Sequence, residues 1–321
     1  MPWLSCERTA RALEGLEGRL AAAAGDEHAA LANVATALIR RGGKRIRPAL
    51  VFLAATFGER GDGVQPDLAA CVELIHTAAL YHDDVVDRAP ARRGAPSAQS
   101  QAGVAEAMVA GAYLSARAIE IAALAGDAAN RMVSTALLEL CKGELQELEH
   151  AYDLELSPRL HLEILNRKTG SMFALPCRLG ATVAGAHPAT VAALTAYGRE
   201  LGLAFQIADD ALDFVGDERT VGKSVHSDLP DGRYSLPVLL TLRSGGPHAD
   251  ELRAILLRDV LSPEEVNRAQ ELVHDSNSFA VALGVARERA EAARRAAADL
   301  PEGPARASLR ALALYAVMRS S

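Results

Sequence analysis

Asp83, Asp84 and Asp87 stand at positions i, i+1 and i+4 of the stretch LYHDDVVDRAPARRG, and Asp209, Asp210 and Asp213 repeat that spacing in FQIADDALDFVGD. On a helix, residues i and i+4 are neighbours on one face, so Asp83 with Asp87, and Asp209 with Asp213, set like charges side by side. A helix gains no stability from that arrangement, and a divalent cation would relieve it. Mg²⁺ suits the pattern, because it takes one or two carboxylates and completes its shell with water and substrate phosphates. A single cluster of this kind also describes a solvated helix end. Two of identical spacing, each embedded in apolar sequence, point to metal, with Asp83, Asp87, Asp209 and Asp213 as the expected ligands.

Basic residues close to these acids make sense with an anion between them. Arg92 and Arg93 follow the first cluster at once and carry the planar fork that matches phosphate. Upstream, RGGKRIRP gathers Arg41, Lys44, Arg45 and Arg47 around two glycines, which let backbone approach a phosphate closely. Lys168 with Thr169, before Gly170, and Lys223, after Gly222, are weaker signals of the same kind. Each alone also reads as a surface loop. Together they describe a cavity with metal on one side and cations on the other, a setting for diphosphate esters.

The elements that must position these groups are helical. Ala, Leu, Glu and Arg fill most segments, and apolar residues recur at i, i+3, i+4 and i+7 between Gly- and Pro-rich punctuation. Asp67 to Asp87 is one such segment, about 30 Å long as a helix. The chain has 321 residues, 50% hydrophobic, 23% charged and only 4% aromatic, with a net charge of −7. That composition disfavours a β-sandwich and gives no general attraction to nucleic acid or to an anionic membrane. Residues 1–321 read as one all-α domain with no linker. The N-terminus lacks a signal-peptide pattern, and no apolar run is expected to approach the ~20 residues of a membrane span. Cys6, Cys71, Cys141 and Cys177 form no CxxC pair and read as small core residues in a reducing cytoplasm.

These motifs, in this order, resemble those of the trans-isoprenyl diphosphate synthases, the polyprenyl synthetase family, in its medium- or long-chain type. The matching segments are GGKRIRP, DDVVDRAPARRG, the Lys168-Thr169 pair, QIADDALD and GKSVHSDLPDGRYSLP. The resemblance implies the isoprenoid synthase fold, a helical bundle around a deep central cavity, and a homodimer. It implies a Mg²⁺-dependent prenyltransferase that uses three ions and joins isopentenyl diphosphate to an allylic diphosphate. By position, Asp83, Asp87 and Asp209 would ligate the ions, with Asp84, Asp210 and Asp213 acting through water or as supports. Arg92, Lys168 and Lys223 would hold the allylic diphosphate, and Lys44, Arg47, His76 and Arg93 the isopentenyl diphosphate. The carbonyl of Lys168, the hydroxyl of Thr169 and the amide of Gln206 would face the allylic cation. His76 on its apolar helix reads by itself as a core histidine; the resemblance alone assigns it to a substrate.

In this family the growing tail runs beside the first aspartate helix, which makes Ala78 and Ala79 the expected floor. Two alanines leave the path open toward Ile75, Leu74 and Cys71, one turn or about 5.4 Å further on, and a product of C30 or longer follows. Departures are Ala112 where the family commonly has Asp, His226 for Gly, and Arg233 for Lys. Arg233 keeps its charge and is still expected to meet diphosphate. Two other readings share the fold. A class I terpene cyclase would need more aromatic surface around its cation than this chain carries. A non-catalytic subunit of a heteromeric synthase would be expected to lose an aspartate motif, and both are kept.

Overall fold

The computed structural model describes residues 1–60, 63–212 and 229–318, and helices dominate them. The first are α1 (Glu7–Glu14), α2 (Leu16–Ala24), α3 (Ala29–Arg40), α4 (Ile46–Ala55) and α5 (Gln65–Val86). The next are α6 (Ala98–Ala102), α7 (Val104–Leu124), α8 (Asp127–Glu149), α9 (Pro158–Leu165), α10 (Ser171–Val183) and α11 (Pro188–Leu212). The chain closes with α12 (Leu236–Ser244), α13 (Pro247–Leu256), α14 (Pro263–Asp275), α15 (Ser278–Ala296) and α16 (Pro304–Met318).

α5 is buried on nearly every side, as expected of a helix with apolar residues all round. It packs on α7, α4, α2 and α10, while α11 packs on α10 and α15. Its apolar residues Leu68, Cys71, Val72, Leu74, Ile75 and Ala78 share one core with Leu114 of α7, Val133 of α8 and Leu179 of α10. A second core joins α4, α10, α11, α15 and α16 through Leu50, Phe173, Leu201 and Leu309. The two cores grip α5 and α11 from outside, so the ends of these helices that carry aspartate are presented to a common interior.

The turn after α5 is a short antiparallel hairpin, Ala91–Arg92 against Ala95–Pro96, in a chain whose sequence suggests no strand. Its two central residues, Arg93 (φ 53°) and Gly94 (φ 72°), are both left-handed, as a two-residue turn that follows strand twist requires. Between α9 and α10 the helix continues without a break but widens for one π-helical turn, Asn166–Gly170. Such turns are frequent at functional sites because they change which side chains face inward.

Three expectations need correction. Cys6, Cys71 and Cys177 are buried, but Cys141 is exposed on α8. α7, with 21 residues, is long and apolar enough by length and composition to cross a membrane. It is only partly buried, and Val104, Met108 and Val109 are exposed, as are Leu138 and Leu145 of α8. The tail floor is the third. Ala78, at 2% exposure, lies in the α5 core, and Leu74, Ile75 and Cys71 are wholly buried there. Of the two alanines only Ala79 reaches the cavity.

Candidate active site

A cavity of about 1300 Å³ opens between α5, α8, the π turn, α10 and α11. Asp83 and Asp87 line it from α5, and Asp209 and Asp210 from α11, so the two acid clusters do share one hollow. Asp213 and Lys223 lie outside the described residues. Asp84 does not line the wall. It is buried and accepts from Arg92 Nε at 2.6 Å, which ties the hairpin to the end of α5. Gln206 donates to Asp210 at 2.8 Å and accepts from Thr169 Oγ1 at 3.1 Å, so the π turn and α11 are joined beside the acids. Arg233, in the segment before α12, pairs with Asp87.

Lys168 points from the π turn into the acid side, where Nζ meets Glu144 at 2.9 Å and Glu147 at 2.8 Å, both from α8. Sequence reading did not single out these two glutamates. Their i, i+3 spacing in CKGELQELEH is an ordinary surface pattern, and only the fold turns it inward. Burial works against the charge of Lys168, but Glu147, Asp83 and Glu144 outweigh it and raise its pKa. Burial pushes Glu144 up to about 7. Burial also raises Asp83, and its neighbour Asp87 adds to the shift while Lys168 opposes it. The π turn is held by two glycines. A Cβ at Gly143 would stand 2.8 Å from the Lys168 amide nitrogen, and one at Gly202 would stand 3.0 Å from the Thr169 carbonyl oxygen.

The opposite wall is basic. Lys44, Arg47, His76 and Arg93 line it, together with Arg41 and Arg45, while Arg92 stays with the acids through its bond to Asp84. Arg47 Cζ lies 4.4 Å above the ring centre of Phe173, which stacks on Phe205 at 5.5 Å. Its Nε is buried with no hydrogen-bond partner, which a diphosphate oxygen would satisfy. Burial pulls the Arg47 guanidinium down to about 10. Burial, with Arg47 and Arg93 adding to it, holds His76 well below the usual imidazole range, so it is neutral at pH 7. Arg93 donates to the Leu38 carbonyl at 3.3 Å and also to that of Gly42. The lining also has apolar residues, among them Ala79, Leu80, Leu140, Met172 and Phe173.

Among the described residues no three His, Cys, Asp or Glu side chains converge as a closed metal-binding group. A hard cation that brings its own waters and shares substrate phosphates needs no closed group. The oxygen-only donors Asp83, Asp87 and Asp209, on two facing helices, fit Mg²⁺ on those terms.

Residues 28–273 match the family model described as polyprenyl synthetase. The nonaprenyl diphosphate synthase of Mycobacterium tuberculosis is 38% identical over 88% of this chain and 84% of its own length. Component 2 of the heptaprenyl diphosphate synthase of Geobacillus stearothermophilus is 40% identical over 72% of each chain. A polyprenyl synthase from Caulobacter crescentus, solved with calcium and isoprenyl diphosphate, superposes with a TM-score of 0.93 at 35% identity, covering 99% of both chains. With both acid clusters lining one hollow, and a family match that spans most of its length, this chain belongs to the polyprenyl synthetase family.

Proposed function

We propose that the protein condenses isopentenyl diphosphate with an allylic diphosphate, head to tail, to give a trans-polyprenyl diphosphate of C30 or longer. One observation carries this reading: acidic, basic and apolar side chains line a single cavity. The named products of its relatives support the length. Residues 1–321 would work as one domain, in the cytoplasm, and as a homodimer through the outward apolar faces of α7 and α8.

Asp83, Asp87 and Asp209, joined by Asp213, would hold Mg²⁺, which when bound supplies the positive charge that stabilises a leaving diphosphate. Lys168, Arg92, Arg233 and Lys223 would neutralise the allylic diphosphate as its C–O bond ionises. The Gln206 amide and the Thr169 hydroxyl, already bonded to each other, would turn their oxygens toward the allylic cation. Lys44, Arg47, Arg93 and neutral His76 would fix isopentenyl diphosphate so that its double bond reaches that cation, converting an encounter into a positioned reaction. The proton then lost would go to the departing diphosphate.

The test is to supply farnesyl diphosphate and labelled isopentenyl diphosphate with Mg²⁺, remove phosphate from the products and size them. Chains of C30 or longer are expected. Nothing past C20 would defeat the length assignment, and a hydrocarbon formed without isopentenyl diphosphate would point to cyclisation. Inactivity of the pure chain, with activity restored by a second component, would make it one subunit of a heteromeric synthase.

A further inference from the structure

Two cations of the basic loop, Arg41 and Arg45, have no role in the chemistry above, and Arg45 is the buried one. Arg45 lies between Lys44 and Arg47 and begins α4 in a left-handed conformation, φ 44° and ψ 36°. A residue with a Cβ adopts that conformation at a cost of about 1 kcal/mol or more, so surrounding contacts must hold it there. Besides the first helical bond, in which its carbonyl accepts from the Ala49 amide at 3.1 Å, they are made by the guanidinium of a side chain that is 6% exposed. Nε donates to Glu17 Oε1 at 2.7 Å, and Nη2 to Glu17 Oε2 at 3.0 Å and to the Ile39 carbonyl at 2.9 Å. Nη1 donates to Glu73 Oε1 at 2.6 Å. One side chain thus ties the loop to α2, α3 and α5.

The residues beside it are the ones proposed to bind substrate. A Cβ at Gly43 would meet Arg93 Nη2 at 3.2 Å and Arg45 Nη1 at 3.4 Å, so these two guanidiniums lie together over a glycine that leaves them room. Glu73 acts on all three arginines: it favours the charged forms of Arg45, Arg47 and Arg93. Glu17 does not line the cavity, and its side chain is 57% exposed. With Glu17 gone, two donors of Arg45 would lose their acceptors. The guanidinium would turn toward Glu73 and compete for the charge that steadies Arg47 and Arg93.

We infer that Glu17, acting through Arg45, is a positioning residue for the isopentenyl diphosphate half of the cavity. The inference rests on the proposed condensation and concerns only one of its two substrates. Wild type, Glu17→Ala, Glu17→Gln and Arg45→Lys are compared with each substrate varied in turn, alongside thermal unfolding. Glu17→Ala raises the KM for isopentenyl diphosphate about five- to tenfold, while kcat and the KM for the allylic diphosphate stay within about twofold. Glu17→Gln, which keeps an acceptor, recovers part of the loss. Arg45→Lys, which cannot make the forked contact, exceeds Glu17→Ala. An unchanged KM for isopentenyl diphosphate in Glu17→Ala overturns the inference. So does an equal rise in both KM values with a lowered melting temperature, since that marks a purely structural role. A wild-type protein that consumes no isopentenyl diphosphate defeats the proposed function itself, and is read before any variant.

Discussion

Replacing Phe173 by Leu probes the basic wall with a known contact and a calculable loss. Arg47 Cζ sits 4.4 Å from the ring centre, inside the range for attraction between a cation and an aromatic face. The Arg47 Nε is buried with no hydrogen-bond partner although the residue as a whole is only half-buried, so the contact is partly desolvated and is worth about 1–2 kcal/mol. Leucine fills much of the same space but has no quadrupole. Arg47 should then lose its fixed orientation over the substrate, and about 1–2 kcal/mol corresponds to a rise of roughly 5- to 30-fold in the KM for isopentenyl diphosphate. The assay is steady-state turnover with that substrate varied at saturating allylic diphosphate. Phe205→Leu is the control. It removes the stacked neighbour of Phe173, costing about 0.5–1.5 kcal/mol of stability, but leaves the ring beneath Arg47 in place. Its KM should move less than about threefold. If the two variants raise KM equally, or Phe173→Leu leaves it unchanged, the assignment of Arg47 to this substrate through that ring is refuted.

Other outcomes follow from the same geometry. Ala79→Phe should cut product length to about C15–C20, because Ala79 lies on the cavity wall one turn, about 5.4 Å, below Asp83; Ala78→Phe should leave product length unchanged and instead cost about 1–3 kcal/mol by overpacking the α5 core. Product sizing and thermal unfolding on both variants separate the effects. Gly143→Ala should lower kcat by roughly 10- to 100-fold, since its methyl would displace the Lys168 backbone, and circular dichroism should show the fold kept. Burial lowers His161 from 6.5 to about 4, so the unfolded chain takes up its proton first as pH falls; stability is complete above about pH 6.5, and about 2 kcal/mol is lost by pH 5. His161→Phe should therefore show a smaller drop in melting temperature between pH 7.5 and pH 5 than the wild type, by roughly 4 °C.

Much of the site could be read from spacing because it is local. Two aspartates one helical turn apart must share a face wherever the helix lies. What spacing does not fix is which flank of a helix meets the hollow. Ala78 and Ala79 are neighbours on α5, a helix apolar all round, and no polar face in its sequence orients it. The fold decides, by packing Ala78 against the core shared with α7 and α8 and leaving Ala79 to the cavity. Contacts distant in sequence are equally silent. Glu17, Arg45 and Glu73 belong to three elements, and nothing near any one of them announces the other two. Glu144 and Glu147 look like solvated charge until α8 turns them toward Lys168.

The sorting of charge across the cavity bears on a problem that any such condensation must solve. Both substrates carry the same head group, yet one must lose it and the other must keep it. The acid wall holds Asp83, Asp87, Asp209, Glu144 and Glu147 against Lys168, Arg92 and Arg233, and it draws a diphosphate strongly only where divalent cations offset those carboxylates. The basic wall holds Lys44, Arg45, Arg47 and Arg93 against Glu73, and can bind a diphosphate with organic cations alone. Guanidinium and ammonium groups anchor an anion, but a divalent ion concentrates more charge on the bridging oxygen and so favours departure. On the proposed reading the walls therefore assign the roles: the ester on the acid side ionises, and the ester on the basic side stays whole and supplies the nucleophile. Exchanging the charge balance should blur that choice before it abolishes binding. Arg47→Glu is expected to make the isopentenyl diphosphate dependence of turnover respond to Mg²⁺ concentration, which in the wild type only the allylic dependence should do. Mg²⁺ titrations at limiting levels of each substrate would distinguish the two, and an unchanged pattern in the variant would show that wall charge does not set which ester departs.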